Sequence, residues 1–166
     1  MAKNNAAEAL LEHGITNLCI DHGFTISTAE SCTGGLVAGT LINAAGISAV
    51  YKEGFVTYSN EAKEKRLGVS HETLEAYGAV SEETAKEMAE GCAKTTGSDF
   101  SIVTTGIAGP GGGTPDKPVG LVYIGCYAKG TVVVERHVYN GDRLQIRSQA
   151  VDDALKLLFD MILINV

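Results

Sequence analysis

Apolar positions switch between two spacings along the chain. Within residues 6–22, Leu11, Ile15 and Leu18 recur at helical spacing and Gly23 supplies a stop. Phe24 to Ala29 reads as a strand running directly into Glu30-Ser31-Cys32-Thr33-Gly34-Gly35. Small and apolar residues from Thr33 to Ala44 predict a buried helix closed near Gly46. Val50 to Tyr58 is a second strand, and Ser59 or Asn60 can cap a short helix over 61–67. Ser70 starts another helix. Ser81-Glu82-Glu83-Thr84 has the capping-box pattern and opens a long one to about Thr95, with Ala85, Met88, Ala89 and Cys92 as its buried stripe.

The second half turns to strands. Asp99 to Thr105 is short and apolar around Ile102 and Val103. A loop from Gly106 to Pro118 follows, with five glycines and three prolines. Val119–Ala128 and Thr131–Tyr139 predict a hairpin turning at Lys129-Gly130, and Asp142 to Ile164 a final helix. Strands separated by helices predict an α/β sandwich with helices on both faces of a mixed sheet. No internal repeat or linker interrupts it, so residues 1–166 read as one domain.

Composition narrows the function classes. The 166 residues are 45% apolar and 20% charged, which suits one domain with a real core. Thirteen basic against 20 acidic residues give a net charge of −7, with no basic run. Sequence-independent binding of nucleic acid is therefore not expected, while a small anionic ligand stays open. No apolar stretch approaches the roughly 18 residues of a membrane span. No signal-peptide core follows Met1-Ala2-Lys3-Asn4-Asn5-Ala6, so a cytoplasmic location is expected. Cys19, Cys32, Cys92 and Cys126 lie 13, 60 and 34 residues apart and form no CxxC pair. That spacing argues against a zinc site or disulfide framework and for reduced, buried thiols.

Three stretches could carry chemistry. Ser31 sits in a turn between a strand and a glycine-rich helix start, where backbone N–H groups could stabilise an oxyanion. Local pattern leaves open a nucleophile or a simple helix cap. The G-x-S-x-G elbow does not fit, since Ala29 and Thr33 stand at the glycine positions. No HExxH or SxxK occurs, and His13, His22, His71 and His137 lie in no motif and read as surface residues. A base would then come from Tyr58-Ser59-Asn60-Glu61-Ala62-Lys63, at a strand end. A lysine base needs its pKa brought from about 10.4 towards 7, worth roughly 4 kcal/mol. Alternatively Lys63 belongs to a solvated face, since Glu64, Lys65 and Arg66 follow it.

The loop from Thr104 through Thr105 and Gly106 to Pro118 is either a shaped anion-binding nest or a floppy surface loop. It fits neither the Walker A nor the G-x-G-x-x-G template. Arg143 and Arg147 lie four apart on one helix face and could receive a phosphate or carboxylate, or pair with acidic neighbours such as Asp142.

Taken together, these segments resemble the CinA C-terminal domain family, whose enzymes are nicotinamide-nucleotide amidases. The resemblance runs from about Leu10 to Leu158. It rests on Ala29-Glu30-Ser31-Cys32-Thr33-Gly34-Gly35, Val56-Thr57-Tyr58-Ser59-Asn60-Glu61-Ala62-Lys63 and Gly78-Ala79-Val80-Ser81. Thr105-Gly106-Ile107-Ala108-Gly109-Pro110, Lys117-Pro118-Val119-Gly120 and Gly141-Asp142-Arg143 complete it, in the right order and spacing.

The resemblance implies a three-layer α/β/α sandwich with a mixed, mostly parallel sheet, usually a homo-oligomer, needing no metal or cofactor. It implies hydrolysis of nicotinamide mononucleotide to nicotinate mononucleotide and ammonia. Ser31 then falls on the family's nucleophile, Lys63 on its base and Tyr58 on an assisting hydroxyl. Backbone N–H groups around Cys32, Thr33, Gly34 and Gly35 are the expected oxyanion and substrate contacts. The 5′-phosphate is expected against Thr105 and Gly106, or against Arg143. Many members carry a further N-terminal domain resembling molybdopterin-binding proteins; these residues do not match it, and no activity tied to it is expected. Two other classes stay open: a non-catalytic nucleotide-binding or regulatory module that kept the pocket, and a competence-related partner of nucleic acid, which the charge of −7 disfavours.

Overall fold

The computed structural model of the chain describes residues 5–166; Met1–Asn4, part of the stretch read for a leader, lie outside the described residues. Its elements are α1 (Asn5–His22), β1 (Ile26–Glu30), α2 (Leu36–Leu41), a 3-10 turn (Ile47–Ala49), β2 (Tyr51–Val56), α3 (Asn60–Leu67) and α4 (His71–Tyr77). Then come α5 (Glu82–Thr96), β3 (Phe100–Gly106), β4 (Leu121–Ala128), β5 (Thr131–Val138) and α6 (Arg143–Ile164). The five strands form one sheet in the order β2-β1-β3-β4-β5. β1 pairs parallel with β2 and β3, while β4 pairs antiparallel with β3 and β5. Four of the five strands therefore point the same way and only β4 is reversed.

Strand alternation sorts side chains between two cores. Ile26, Phe100 and Ile102 join the larger core against α1, α2 and α6. Ala29 and Val103 face the opposite side, with Met88, Ala89 and Cys92 of α5 and Leu67 of α3. The α5 stripe expected from the sequence is fully buried. Helices thus cover both faces of the sheet.

Gly91 sets how closely α3 meets α5. A Cβ there would stand 1.7 Å from the Leu67 carbonyl oxygen, so only glycine permits this approach. Leu67 and Lys63 lie four apart on one face of α3, and both are buried.

The helix expected from Thr33 to Ala44 is much shorter, Leu36–Leu41. Gly34 and Gly35 adopt left-handed backbones with φ of +62° and +98°, through which a right-handed helix cannot run. The segment from Ser31 to Gly35 is instead a tight loop at the carboxyl end of β1. Other boundaries move by one or two residues, and Ser59, Ser70, Ser81 and Asp142 cap α3, α4, α5 and α6. The capping box expected at Ser81 is a one-way cap from the Thr84 N–H, because Thr84 stands where a Glu or Gln would reach back.

Candidate active site

Ser31 follows the last residue of a central strand and is anchored by both neighbours. Its N–H donates to the Thr104 carbonyl at 3.0 Å, and the Thr57 N–H donates to the Glu30 carbonyl at 2.9 Å. These bonds continue the ladders of β3 and β2 past the end of β1, which fixes where Ser31 begins.

Glu30 shapes the loop from below. Its side chain is 1% exposed. One carboxylate oxygen accepts from Thr33 Oγ1 at 2.5 Å, Gly35 N at 2.9 Å and Val37 N at 3.0 Å; the other accepts from Ala38 N at 2.8 Å. A buried carboxylate is tolerated because four donors surround it, three of them otherwise unpaired N–H groups at the start of α2. The Gly34 N–H is turned back to the Ser31 carbonyl at 3.1 Å. The expected oxyanion donors Gly34 and Gly35 are thus engaged within the loop. The N–H groups of Cys32 and Thr33 make no backbone hydrogen bond among the described residues.

Lys63 is not on a solvated face. It is 1% exposed, and its neighbours Lys65 and Arg66 carry the solvent side of α3. Its Nζ lies 3.2 Å from Ser31 Oγ, 2.8 Å from the Thr57 carbonyl and 3.5 Å from the Tyr58 carbonyl. Burial lowers its pKa from the usual lysine value, because the charged ammonium loses water. A neutral amine has two N–H donors and one lone pair. Two carbonyls can take the donors, and the lone pair is left for the Ser31 hydroxyl.

Tyr58 stands at the mouth, 62% exposed, and its hydroxyl accepts from Arg143 Nη2 at 3.2 Å. Arg143 Nη1 also donates to the Gly109 carbonyl at 2.8 Å, tying α6 to the glycine-rich loop. Thr105 Oγ1 donates to the Ala79 carbonyl at 2.6 Å, drawing the end of β3 to the segment before α5. Lys117 Nζ donates to the Tyr77 carbonyl and holds the far end of the loop. The residues between, Pro110 to Asp116, are exposed.

Ser31, Cys32, Tyr58 and Lys63 line one cleft of about 200 Å³ with Thr105, Gly106 and Arg143. Ala79, Val80 and Ala108 add an apolar wall. Seven expected site residues are thus brought together; Thr33, Gly34 and Gly35 are not in the lining. A larger groove of about 520 Å³ between α3 and α5 has charged walls but no nucleophile beside a base. Burial pushes the Cys32 thiol up to about 11, so it stays neutral beside Ser31. All four cysteines are free and buried, and among the described residues no group of three or more His, Cys, Asp or Glu side chains could hold a metal ion. No described helix is long and apolar enough to cross a membrane.

Glu30 and Arg147 carry functions that the sequence reading did not assign. Arg147 Nε donates to the Cys32 carbonyl at 3.0 Å and its Nη2 to the Thr33 carbonyl at 2.9 Å. Pairing of the two arginines with Asp142, left open from sequence, does not occur among the described residues. Asp142 instead completes a capping box with Gln145.

Comparison with known proteins shows the family and the fold. A family model for the CinA C-terminal domain matches residues 8–162. A CinA-like protein of Kosmotoga olearia is 58% identical over 148 residues, covering 89% of this chain and 36% of that protein. The chain spans about a third of the length of the curated relatives it matches. Among solved structures, a competence/damage inducible protein from Agrobacterium tumefaciens superposes with a TM-score of 0.90 at 46% identity, over 93% of this chain and 94% of the other. A CinA superfamily protein from Klebsiella pneumoniae gives 0.88 at 36% identity, over 93% and 97%.

Proposed function

The chain belongs to the CinA C-terminal domain family, and from that premise and the pairing of Ser31 with Lys63 we propose that it hydrolyses the carboxamide of nicotinamide mononucleotide. The products are nicotinate mononucleotide and ammonia. The observation that carries the reading is a buried amine 3.2 Å from a serine hydroxyl, its other polar contacts being backbone carbonyls.

The steps follow from that contact. Neutral Lys63 takes the Ser31 proton as Oγ attacks the carboxamide carbon. The oxyanion that forms is held by the N–H of Cys32, which lines the cleft and makes no backbone–backbone hydrogen bond among the described residues. Protonated Lys63 returns its proton to the leaving nitrogen, and ammonia departs from an acyl-enzyme. Water then attacks the ester as Lys63 accepts its proton, the bond to Ser31 Oγ breaks, and Lys63 passes that proton to the departing serine oxygen. Tyr58 and Arg143 sit at the mouth, where the arginine receives the 5′-phosphate and the tyrosine hydroxyl, already an acceptor from Arg143, donates towards the substrate. Ala79, Val80 and Ala108 form the wall for the pyridine ring. No metal or cofactor enters these steps.

The test is ammonia release from nicotinamide mononucleotide by the wild type, Ser31→Ala and Lys63→Ala. Release by the wild type that both substitutions abolish, with far-UV circular dichroism unchanged, is expected. A folded wild type that binds the nucleotide but releases nothing would assign the chain to non-catalytic nucleotide binding.

A further inference from the structure

Arg147 lies one helical turn beyond Arg143 on α6, half-buried, and reaches the nucleophile loop rather than the cleft. Its guanidinium donates to two successive carbonyls, those of Cys32 and Thr33. In a trans peptide the carbonyl and the following N–H point in opposite directions. The Cys32 carbonyl shares its peptide with the Thr33 N–H, and the Thr33 carbonyl shares its own with the Gly34 N–H. The second of these N–H groups closes the turn onto the Ser31 carbonyl. The first has no partner among the described residues. A planar guanidinium bound at two points fixes the rotation of both peptides more firmly than a single-point contact could. Its charge on the Cys32 carbonyl also polarises that peptide and strengthens its N–H as a donor.

We infer that Arg147 is a positioning residue for the oxyanion site: by holding the Cys32 and Thr33 carbonyls it fixes the turn whose Gly34 N–H binds the Ser31 carbonyl, and so presents the Cys32 N–H, on that same peptide, to the cleft. The inference rests on the serine-nucleophile reading of the cleft. It gives Arg147 a different task from Arg143, which faces the mouth. Glu30 and Arg147 then grip the loop in complementary ways, the carboxylate taking N–H groups and the guanidinium taking carbonyls.

The experiment compares wild type, Arg147→Met and Arg147→Lys in two assays. One is phosphonylation of Ser31 by a fluorophosphonate, followed by intact mass. There the Ser31 Oγ–P bond forms, the P–F bond breaks, fluoride leaves and Lys63 takes the proton. The other is steady-state ammonia release from nicotinamide mononucleotide. Misaiming an oxyanion donor should slow labelling and lower kcat by at least about tenfold in Arg147→Met. KM stays within about twofold and the midpoint of the pH profile does not move, because Lys63 and the mouth are untouched. Arg147→Lys, keeping charge without the fork, should fall between.

Wild-type labelling and kcat in a folded Arg147→Met would overturn the inference. So would a parallel worsening of kcat and KM with a lowered Tm, which describes a structural cross-link only. If Arg147→Met does not fold, Arg147→Lys decides, and full activity there overturns the inference. Labelling of the wild type without ammonia release removes the substrate assignment alone and leaves the labelling rates to judge Arg147. A wild type that does not label at Ser31 overturns the nucleophile reading, and this inference with it.

Discussion

Two loops leave the carboxyl ends of adjacent parallel strands, and they are built differently. The loop after β1, Ser31 to Gly35, is short and held by two buried or half-buried charged side chains, Glu30 and Arg147. The loop after β3 is long and exposed from Pro110 to Asp116. Besides its own turn between Thr114 and Lys117 and the backbone bonds of Ile107, it is held by Arg143 at Gly109 and by Lys117 at Tyr77. Attack on a carboxamide needs the nucleophile, base and oxyanion donors fixed within a fraction of an ångström. Enclosing a nucleotide's sugar and phosphate tolerates, and gains from, a segment that can adjust. Under the proposed hydrolysis, chemistry falls to the tight loop and substrate enclosure to the open one.

The largest effect that would sharpen this contrast is on turnover. Ser31→Ala and Lys63→Met should each lower ammonia release about 10⁴-fold or more. Lys63→Met should also show that the tight loop is built for function at a cost in stability. The lysine's folded pKa lies below its unfolded value, so between the two the unfolded chain binds more protons and stability rises with pH. Below the folded pKa the penalty for a buried ammonium is fully present. Urea unfolding of Lys63→Met at neutral pH should give a stability no lower than wild type, with that alkaline rise removed. The same depressed pKa places the acid limb of the wild-type kcat profile below the usual lysine value, with activity falling as pH drops through it.

Next in size is the difference in stability between the loops. Glu30→Ala leaves three N–H groups without their acceptor and the Thr33 hydroxyl with Thr104 Oγ1 alone, and should cost about 3–5 kcal/mol in urea unfolding. Lys117→Met loses one carbonyl contact on the open loop and should cost about 1 kcal/mol or less, while raising KM rather than lowering kcat. Equal costs in the two loops would break the comparison.

Much of this was legible in the sequence, and what was not has physical causes. Strand alternation, the caps at Ser59, Ser70, Ser81 and Asp142, and the α5 stripe are local signals, and helices on both faces of a mixed sheet follow from them; the strand order and the division into two cores do not. Small residues at 33–44 satisfy a helical pattern, but the left-handed backbones of Gly34 and Gly35, which no local pattern signals, delay the start of α2 to Leu36. Lys63 looked solvated beside Glu64, Lys65 and Arg66, because charge runs do not reveal which member points at a neighbouring strand end. The close approach of Gly91 to the Leu67 carbonyl on α3 joins residues 24 positions apart and leaves no local mark. Arg147 touches the loop across 115 and 114 residues of sequence. Its only signal was its spacing of four from Arg143, which suggested a shared task. Glu30 could have been suspected as an acidic residue directly before a serine and two glycines.

The pairing of Ser31 with Lys63 as nucleophile and base is tested most directly by acid-quenching the enzyme during turnover of nicotinamide mononucleotide and measuring the mass of the Ser31 peptide. The predicted result is a nicotinate mononucleotide ester on that peptide in the wild type, no adduct in Ser31→Ala, and no ammonia release from Ser31→Ala or Lys63→Met. Wild-type ammonia release from a folded Ser31→Ala would contradict it.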